Sequence, residues 1–245
     1  MTVLILGGTA EARELASALV GRGARVISSL AGLVGNPRLP EGEVRIGGFG
    51  GVEPMAAFLS EADVTAVVDA THPFARRISG NAAQASARTG VPLLRLARPG
   101  WGTAPQAGRW HWVDSHQEAA MLAARLGGRV FLSTGRQTLH VFAGVLSSVV
   151  ARVVEPSVED AVLPEGWLLI LSRGPYTLEG ELALMREHGI DVLVTKDSGG
   201  AHTSPKLEAA DQLGIEVVVI RRPAVVPGVE TVTSVDDAVD WLARH

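Results

Sequence analysis

The sequence predicts an α/β protein with mostly parallel sheets, divided into two lobes with a cleft between them. Short runs of branched apolar residues alternate with helical patterns along the 245-residue chain, and this alternation indicates parallel strands joined by crossover helices. The rhythm is broken at residues 98–109, where glycine, proline and tryptophan cluster, as is typical of a domain boundary. We therefore expect two Rossmann-like lobes, residues 1–98 and residues 99–245.

The composition limits the classes of protein to consider. With 47% hydrophobic and 20% charged residues, the chain can bury a core. The net charge of −4 and the lack of a basic run argue against nucleic acid as the main partner. The absence of cysteine excludes thiolate catalysis and Cys-ligated metals and fits a reducing, cytoplasmic location. We expect no signal peptide, no membrane span and no metal site, and the oligomeric state is left open.

The opening stretch organises the first lobe. Residues 2–6 are typical of a buried parallel strand, and Gly7 and Gly8 allow a sharp turn close to a ligand. Thr9 can cap the next helix, which begins with the small Ala10 and has the apolar face Ala12, Leu15, Ala16 and Leu19. The free N–H groups and the helix dipole suit a phosphate. Because the G-x-G-x-x-G fingerprint is incomplete, an ordinary strand-to-helix turn is the alternative.

The second predicted strand informs the choice of cofactor. We predict strands at 24–29, 44–46, 65–69 and 91–96, and helices at 52–61 and 75–89. NAD-binding proteins carry an Asp or Glu at the end of the second strand, where it accepts from the ribose 2′-OH. This chain has Ser28 and Ser29 there, with no carboxylate until Glu41. Hydroxyl groups in this position favour NADP(H).

A glycine-rich stretch follows the third strand. Residues 47–51 are four glycines around Phe49, and such bare backbone suits a ligand that passes closely. We expect Gly48 and Gly50 to contact the cofactor. The alternative is a flexible loop with Phe49 packed into the core.

A polar stretch follows the fourth strand, at residues 69–75. Thr71 is a candidate cofactor contact, and His72 can donate to an anion or act as an acid. The alternative gives Thr71 the role of a helix cap and His72 a structural role.

The alternation resumes in the second lobe. Ser115 is predicted to cap a helix, with Glu118 at capping-box spacing. We predict strands at 110–113, 129–133, 148–154, 168–171, 192–195 and 216–220, and helices at 115–126, 178–188, 204–213 and 234–244.

Basic and polar residues again follow the strands. Arg136 and Arg173 stand beside glycines, and with Arg98 of the first lobe they suit a grip on carboxylates; surface arginines are the alternative. Residues 196–206 are the densest polar cluster, in which Lys196 would hold an anion. The chain lacks G-x-S-x-G, Tyr-x-x-x-Lys, P-loop and H-E-x-x-H motifs, which argues against those enzyme classes.

From end to end the chain resembles the precorrin-6A reductase family of cobalamin biosynthesis. The stretches that carry the resemblance are Ile-Leu-Gly-Gly-Thr-Ala-Glu-Ala-Arg at 5–13, Gly-Gly-Phe-Gly-Gly at 47–51, Asp-Ala-Thr-His-Pro-Phe-Ala at 69–75, Arg-Pro-Gly-Trp at 98–101, Ser-Arg-Gly-Pro-Tyr at 172–176 and Leu-Val-Thr-Lys-Asp-Ser-Gly-Gly at 193–200. The chain departs from the family pattern at Ala31-Gly32-Leu33, because a basic residue is expected soon after the Ala-Gly pair. Arg38 is the candidate to replace it as the contact of a 2′-phosphate.

The resemblance implies an enzyme that uses NADPH to reduce one double bond of a tetrapyrrole, precorrin-6A or its cobalt form. The substrate's many carboxylates explain Arg and Lys at strand ends. We predict His72 and Lys196 as proton donors, with solvent as the alternative. The predicted substrate contacts are Glu11, Arg13, Arg98, Arg136 and Arg173, and the predicted cofactor contacts are Gly7, Gly8, Thr9, Ala10, Ser29, Gly48, Gly50, Thr71, Asp197, Ser198, Gly199, Thr203 and Lys206. The alternatives are a reductase of another small carbonyl compound and a non-catalytic nucleotide sensor.

Overall fold

The computed structural model describes residues 1–32, 39–154, 163–200 and 204–245. The chain forms two compact units: unit 1 is Met1–Pro99 with Pro223–His245, and unit 2 is Gly100–Arg222. Each unit contains one six-stranded parallel sheet with flanking helices, so the predicted α/β class with two Rossmann-like sheets is confirmed. No helix in the described ranges is both long and apolar enough to cross a membrane.

In unit 1 the strands lie in the order β12-β5-β4-β1-β2-β3. The chain order reverses between β1 and β4, and ligands of open α/β sheets bind beyond the carboxyl ends of the strands at such a point. The elements are β1 (Thr2–Leu6), α1 (Ala10–Val20), β2 (Arg25–Leu30), β3 (Glu43–Ile46), α2 (Val52–Glu61), β4 (Ala66–Asp69), α3 (Arg76–Thr89), β5 (Leu93–Leu96), β12 (Glu230–Val232) and α8 (Val235–Leu242).

Strand β1 divides the core of unit 1 into two layers. Its side chains alternate between the faces of the sheet: Val3 and Ile5 pack with α1 and α8, whereas Leu4 and Leu6 pack with α2 and α3. Because both faces of the sheet are covered, the strand is apolar and buried from Val3 to Leu6. The turn after β1 therefore begins at the end of a buried, well-packed strand.

In unit 2 the strand order is β6-β11-β10-β7-β8-β9, and the chain order reverses between β7 and β10. The predicted Ser115 cap is present: its hydroxyl accepts from Glu118 N at 3.1 Å. The elements are β6 (His111–Val113), α4 (His116–Leu126), β7 (Val130–Leu132), α5 (Leu139–Ala143), β8 (Val149–Val153), β9 (Trp167–Leu171), α6 (Leu178–Glu187), β10 (Val192–Lys196), α7 (Pro205–Leu213) and β11 (Glu216–Ile220).

The structure corrects the predicted extent of the second lobe. Residues 223–245, assigned to that lobe from the sequence, belong to unit 1. The reason is that β12 adds to the sheet of unit 1, where Glu230 is the register partner of Leu94, and Trp241 of α8 is buried in the core with α1. Two short elements, β12 and α5, were not predicted.

Candidate functional site

The turn between β1 and α1 is rigid on one side and open on the other. Thr9 is the N-cap of α1, as predicted: its hydroxyl accepts from Ala12 N at 3.1 Å and donates to the carbonyl of Ala70 at 2.7 Å. Gly8 has a φ of 111°, and a Cβ on it would meet nothing within 4 Å. Backbone N–H groups at a helix N-terminus beside open space fit the pyrophosphate of a dinucleotide.

At the ends of β2 and β3, Arg45 connects the predicted cofactor contacts Ser29 and Gly48. Its Nη1 donates to Ser29 Oγ at 3.4 Å and to the carbonyl of Gly47 at 2.5 Å, and its Nη2 donates to the carbonyl of Gly48 at 3.0 Å. The guanidinium lies 3.9 Å from the ring centre of Phe49, which is buried in the core. The sequence analysis did not single out Arg45.

A buried ion pair holds the loop after β4. Arg95 Nη1 lies 2.6 Å from Asp69 Oδ1, and the same carboxylate oxygen accepts from the backbone N and the hydroxyl of Thr71. Arg95 also donates to the hydroxyl and the carbonyl of Thr71. The Thr71 hydroxyl is therefore engaged inside the protein. Ala75, rather than Thr71, is the N-cap of α3.

A small cavity opens beyond the carboxyl ends of β1, β4 and β5. It is lined by Thr9, Glu11, Ala70, Thr71, Pro73, Leu96, Ala97 and Arg98. Arg98 Nη1 lies 2.9 Å from Glu11 Oε2, so two predicted substrate contacts pair with one another. Burial raises the pKa of Glu11, but its own backbone N–H and Arg98 outweigh that effect and hold the pKa below its ordinary value. His72 Nδ1 accepts from Phe74 N, which leaves Nε2 as its proton-bearing atom.

In unit 2, Lys196 ends β10 beside the residues that follow β7. A Cβ on Gly135 would lie 3.8 Å from Lys196 Nζ. Burial lowers the pKa of Lys196 to about 8, because desolvation disfavours the charged form. Burial, with Lys196 and His140 nearby, also lowers the pKa of His116. Basic groups therefore gather at the topological switch of this sheet.

The carboxylate of Asp197 accepts hydrogen bonds from residues at the start and at the end of the chain segment that forms unit 2. Asp197 Oδ1 accepts from Trp101 N at 2.8 Å, and Arg222 Nε donates to Oδ2 at 3.0 Å. Lys206, a predicted cofactor contact, is buried with its ammonium group 5.0 Å from the ring centre of Trp101. Both predicted contacts thus have structural neighbours within unit 2.

The other predicted residues are placed as follows. Ser198 and Gly199 are buried in the turn after β10, where Gly199 has a φ of 66°. Arg136 begins a 3-10 helix after β7, and Arg173 is exposed after β9.

Arg13 lies in α1 but does not line the cavity of unit 1. Ala10 is the first residue of α1 and Gly50 has a φ of 88°; Arg38 and Thr203 lie outside the described residues.

Besides Arg45 and the buried Arg95–Asp69 pair, sequence reasoning missed a second buried ion pair. Arg152 of β8 contacts Glu181 of α6 at 2.6 Å, and both side chains are buried. Its guanidinium lies 3.7 Å from the ring centre of Tyr176, whose hydroxyl donates to the carbonyl of Ser172. Arg152 thus supports the loop that carries Arg173. The available signal was an arginine within an otherwise apolar strand. No group of three or more metal-ligating side chains was found in the described part of the chain.

The fold and the glycine-lined turn of unit 1 are those of Rossmann-like nucleotide-binding proteins. More closely, the chain belongs to the precorrin-6x reductase CbiJ/CobK family, whose model matches residues 2–243. It is 49% identical to a precorrin-6A reductase of Rhodococcus erythropolis over 98% of this chain and 96% of that protein. A solved structure of CobK precorrin-6A reductase superposes with a TM-score of 0.92 at 38% identity, covering 100% of this chain and 97% of the other.

A cobalt-precorrin-6A reductase of Priestia megaterium is 34% identical to this chain over 91% of each protein. These comparisons confirm the resemblance that the sequence motifs indicated. Membership in a reductase family implies a nicotinamide cofactor.

Proposed function

We propose that this enzyme reduces precorrin-6A to precorrin-6B with NADPH and a proton, and that its substrate is the metal-free macrocycle. The observation that carries the proposal is the 49% identity, over nearly the whole chain, to a protein named precorrin-6A reductase. The cobalt-precorrin-6A reductase of Priestia megaterium is 34% identical. This difference favours the metal-free substrate.

The residues of unit 1 fit a dinucleotide. The backbone at Gly8 and Ala10 would hold the pyrophosphate, since Thr9 fixes the turn and the space above Gly8 is open. Gly7 would lie beside it, with its own N–H donating to the carbonyl of Ser29 at 3.0 Å. Ser29 places a hydroxyl instead of a carboxylate at the end of β2, which supports NADP(H) over NAD(H). Gly48 would offer close backbone contact. Bound NADPH supplies the hydride.

The chain's own residues bind the macrocycle and manage the proton. Arg98, Arg136 and Arg173 would neutralise substrate carboxylates, with Glu11 holding Arg98 in place. Lys196, whose pKa of about 8 lies near neutrality, and His72 through Nε2 are the candidates for donating the proton to the reduced macrocycle. Positioning and charge neutralisation would supply much of the rate.

Turnover tests this proposal directly. The purified enzyme is supplied with NADPH and, in separate reactions, precorrin-6A, cobalt-precorrin-6A and simple ketones. We expect NADPH oxidation with precorrin-6A and formation of precorrin-6B. Faster oxidation with the cobalt form would contradict the metal-free assignment. Oxidation with ketones, or NADPH binding without turnover of any tetrapyrrole, would overturn the proposed reaction.

Substitution of Gly8 tests the pyrophosphate site. Gly8→Ala adds a methyl group where the N–H groups should contact phosphate, so we expect NADPH affinity to fall at least about tenfold, or about 1.4 kcal/mol. Gly23→Ala is the matched control: its φ is also positive and a Cβ there also meets nothing within 4 Å, but Gly23 follows α1 at the opposite end. Equal NADPH affinity in the two variants would contradict the assignment.

A further inference from the structure

Arg45 lies where Rossmann-like proteins bind the adenosine ribose, which is the part of the cofactor that differs between NADP(H) and NAD(H). It is the register partner of Ser29 on the neighbouring parallel strand, and Ser29 lies at the end of β2. In Rossmann-like sheets the adenosine ribose is bound at that strand end, and a residue there distinguishes a 2′-hydroxyl from a 2′-phosphate. The hydrogen bond from Nη1 to Ser29 Oγ brings the guanidinium of Arg45 to the same place.

The guanidinium is held in one orientation by the protein. Its three hydrogen bonds go to Ser29, Gly47 and Gly48, and its plane is supported by the ring of Phe49 at 3.9 Å and that of Phe58 at 5.6 Å. A guanidinium has five N–H donors. Nε–H and one N–H of Nη2 remain for a ligand, counted over the described residues. A rigid fork of this kind suits a phosphate.

The charge of Arg45 is not matched by an ion pair among the described residues. Glu43, the acid on the same strand, is bound by Arg25 at 2.7 Å. The surrounding groups are the Ser29 hydroxyl and glycine carbonyls, which are neutral. An anionic ligand would therefore complete this site electrostatically.

We infer that Arg45 recognises the adenosine 2′-phosphate of the cofactor and thereby sets the preference for NADPH over NADH. This inference rests on the proposed function, because it assigns one contact within the proposed cofactor site. The 2′-phosphate would accept from the open N–H groups of Arg45, with Ser29 as neighbour. NADH carries a hydroxyl group there and cannot form the charge-assisted bonds.

Titration with 2′,5′-ADP and 5′-AMP tests the inference without the macrocycle, because the two nucleotides differ by the 2′-phosphate. We expect Arg45→Gln to weaken binding of 2′,5′-ADP by about 10- to 100-fold and to leave binding of 5′-AMP unchanged. Arg25→Gln is the control: it removes an equal charge from an exposed pair at the start of β2 and should change neither affinity. Arg45→Lys, which keeps the charge but loses the fork, should fall between wild type and Arg45→Gln.

Three outcomes would overturn the inference. Equal weakening of both nucleotides by Arg45→Gln and Arg45→Lys would show that Arg45 only supports the glycine loop. Unchanged affinity for both nucleotides in Arg45→Gln would show that Arg45 does not contact the 2′-phosphate. Loss of the preference in Arg38→Gln, with Arg45→Gln unaffected, would assign the contact to Arg38. Failure of the wild type to bind either NADPH or NADH would instead contradict the proposed function.

Discussion

The sheets of the two units have the same strand order, but one outer strand is the last strand of its sheet along the chain in unit 1 and the first in unit 2. In unit 1 the outer strand β12 is the last strand of the chain, whereas in unit 2 the outer strand β6 comes before the other five. The remaining strands follow the same spatial order in both sheets. The chain therefore leaves unit 1 before its sheet is complete and returns after unit 2, at Arg222–Pro223.

The carboxyl ends of the two sheets differ in how their charges are arranged. In unit 1 the charges after β4 and β5 are paired inside the protein, as Asp69 with Arg95 and Glu11 with Arg98, and the open surface after β1 is glycine backbone. In unit 2 the corresponding region gathers Lys196 and two histidines. Preformed internal pairs suit the shaping of a backbone site, whereas gathered basic groups suit an anionic ligand.

The largest expected effect comes from breaking the buried pair of unit 1. Arg95→Leu leaves Asp69 charged and buried without its partner, so we expect the free energy of unfolding to fall by about 3–5 kcal/mol. NADPH affinity should also fall, because Thr71 loses the support of Arg95. Chemical denaturation and NADPH titration measure the two effects.

Arg88→Leu is the control for this prediction. Arg88 also pairs with a carboxylate, that of Glu53, but both side chains are largely exposed, so the loss should be within about 1 kcal/mol. If Arg95→Leu costs no more than Arg88→Leu, the internal pairing of unit 1 does not support its site, and the contrast between the units fails.

The next largest effect concerns Asp197, whose carboxylate contacts residues at the start and at the end of unit 2. A Cβ on Gly100 would lie 2.6 Å from Asp197 Oδ2 and 2.9 Å from Arg222 Nη2, so Gly100→Ala must displace one of them. We expect a loss of about 1–3 kcal/mol in the free energy of unfolding, measured by thermal or chemical denaturation.

Gly102→Ala provides the comparison, since a Cβ there meets nothing within 4 Å. It should be close to neutral. Equal stability of the two variants would show that the Asp197 contacts can shift without lowering the free energy of unfolding. The carboxylate would then be available to a ligand, as the sequence predicted.

Much of the fold could be predicted from local patterns. The apolar face of α1, the caps Thr9 and Ser115 and most strands were predicted to within two residues, because each depends on neighbours in the chain. Strand β12 was missed because Glu230–Val232 is short and largely exposed, so its pairing with β5 depends on residues far away in sequence.

The candidate site was less predictable because its contacts depend on sheet register. Arg95 is the register partner of Asp69, and Arg45 is that of Ser29, but a single sequence does not give strand order. The same limit explains why Asp197 and Thr71 were predicted as cofactor contacts, whereas the structure shows their polar groups bonded to Trp101, Arg222 and Arg95. Their direct contact with a cofactor stays a prediction.

The smallest effect is a pH dependence specific to unit 2. Lys196 is charged below its pKa of about 8 and neutral above it. If its ammonium group donates the proton or binds the substrate, kcat/KM should fall by up to tenfold per pH unit above about pH 8. In Lys196→Arg this descending limb should disappear, since a guanidinium stays charged throughout the range. A descending limb retained in Lys196→Arg would assign the titration to another group.

Stability gives a readout of Lys196 that does not depend on the reaction. Between about pH 8 and the ordinary lysine pKa of 10.5, the unfolded chain holds a proton on Lys196 that the folded protein has lost. Unfolding therefore takes up a proton, and the free energy of unfolding should rise with pH across this window. Lys196→Met should lack that rise while retaining the contributions of other groups. Identical pH slopes for the two proteins would show that Lys196 is well solvated, and the electrostatic contrast between the units would then rest on the histidines alone.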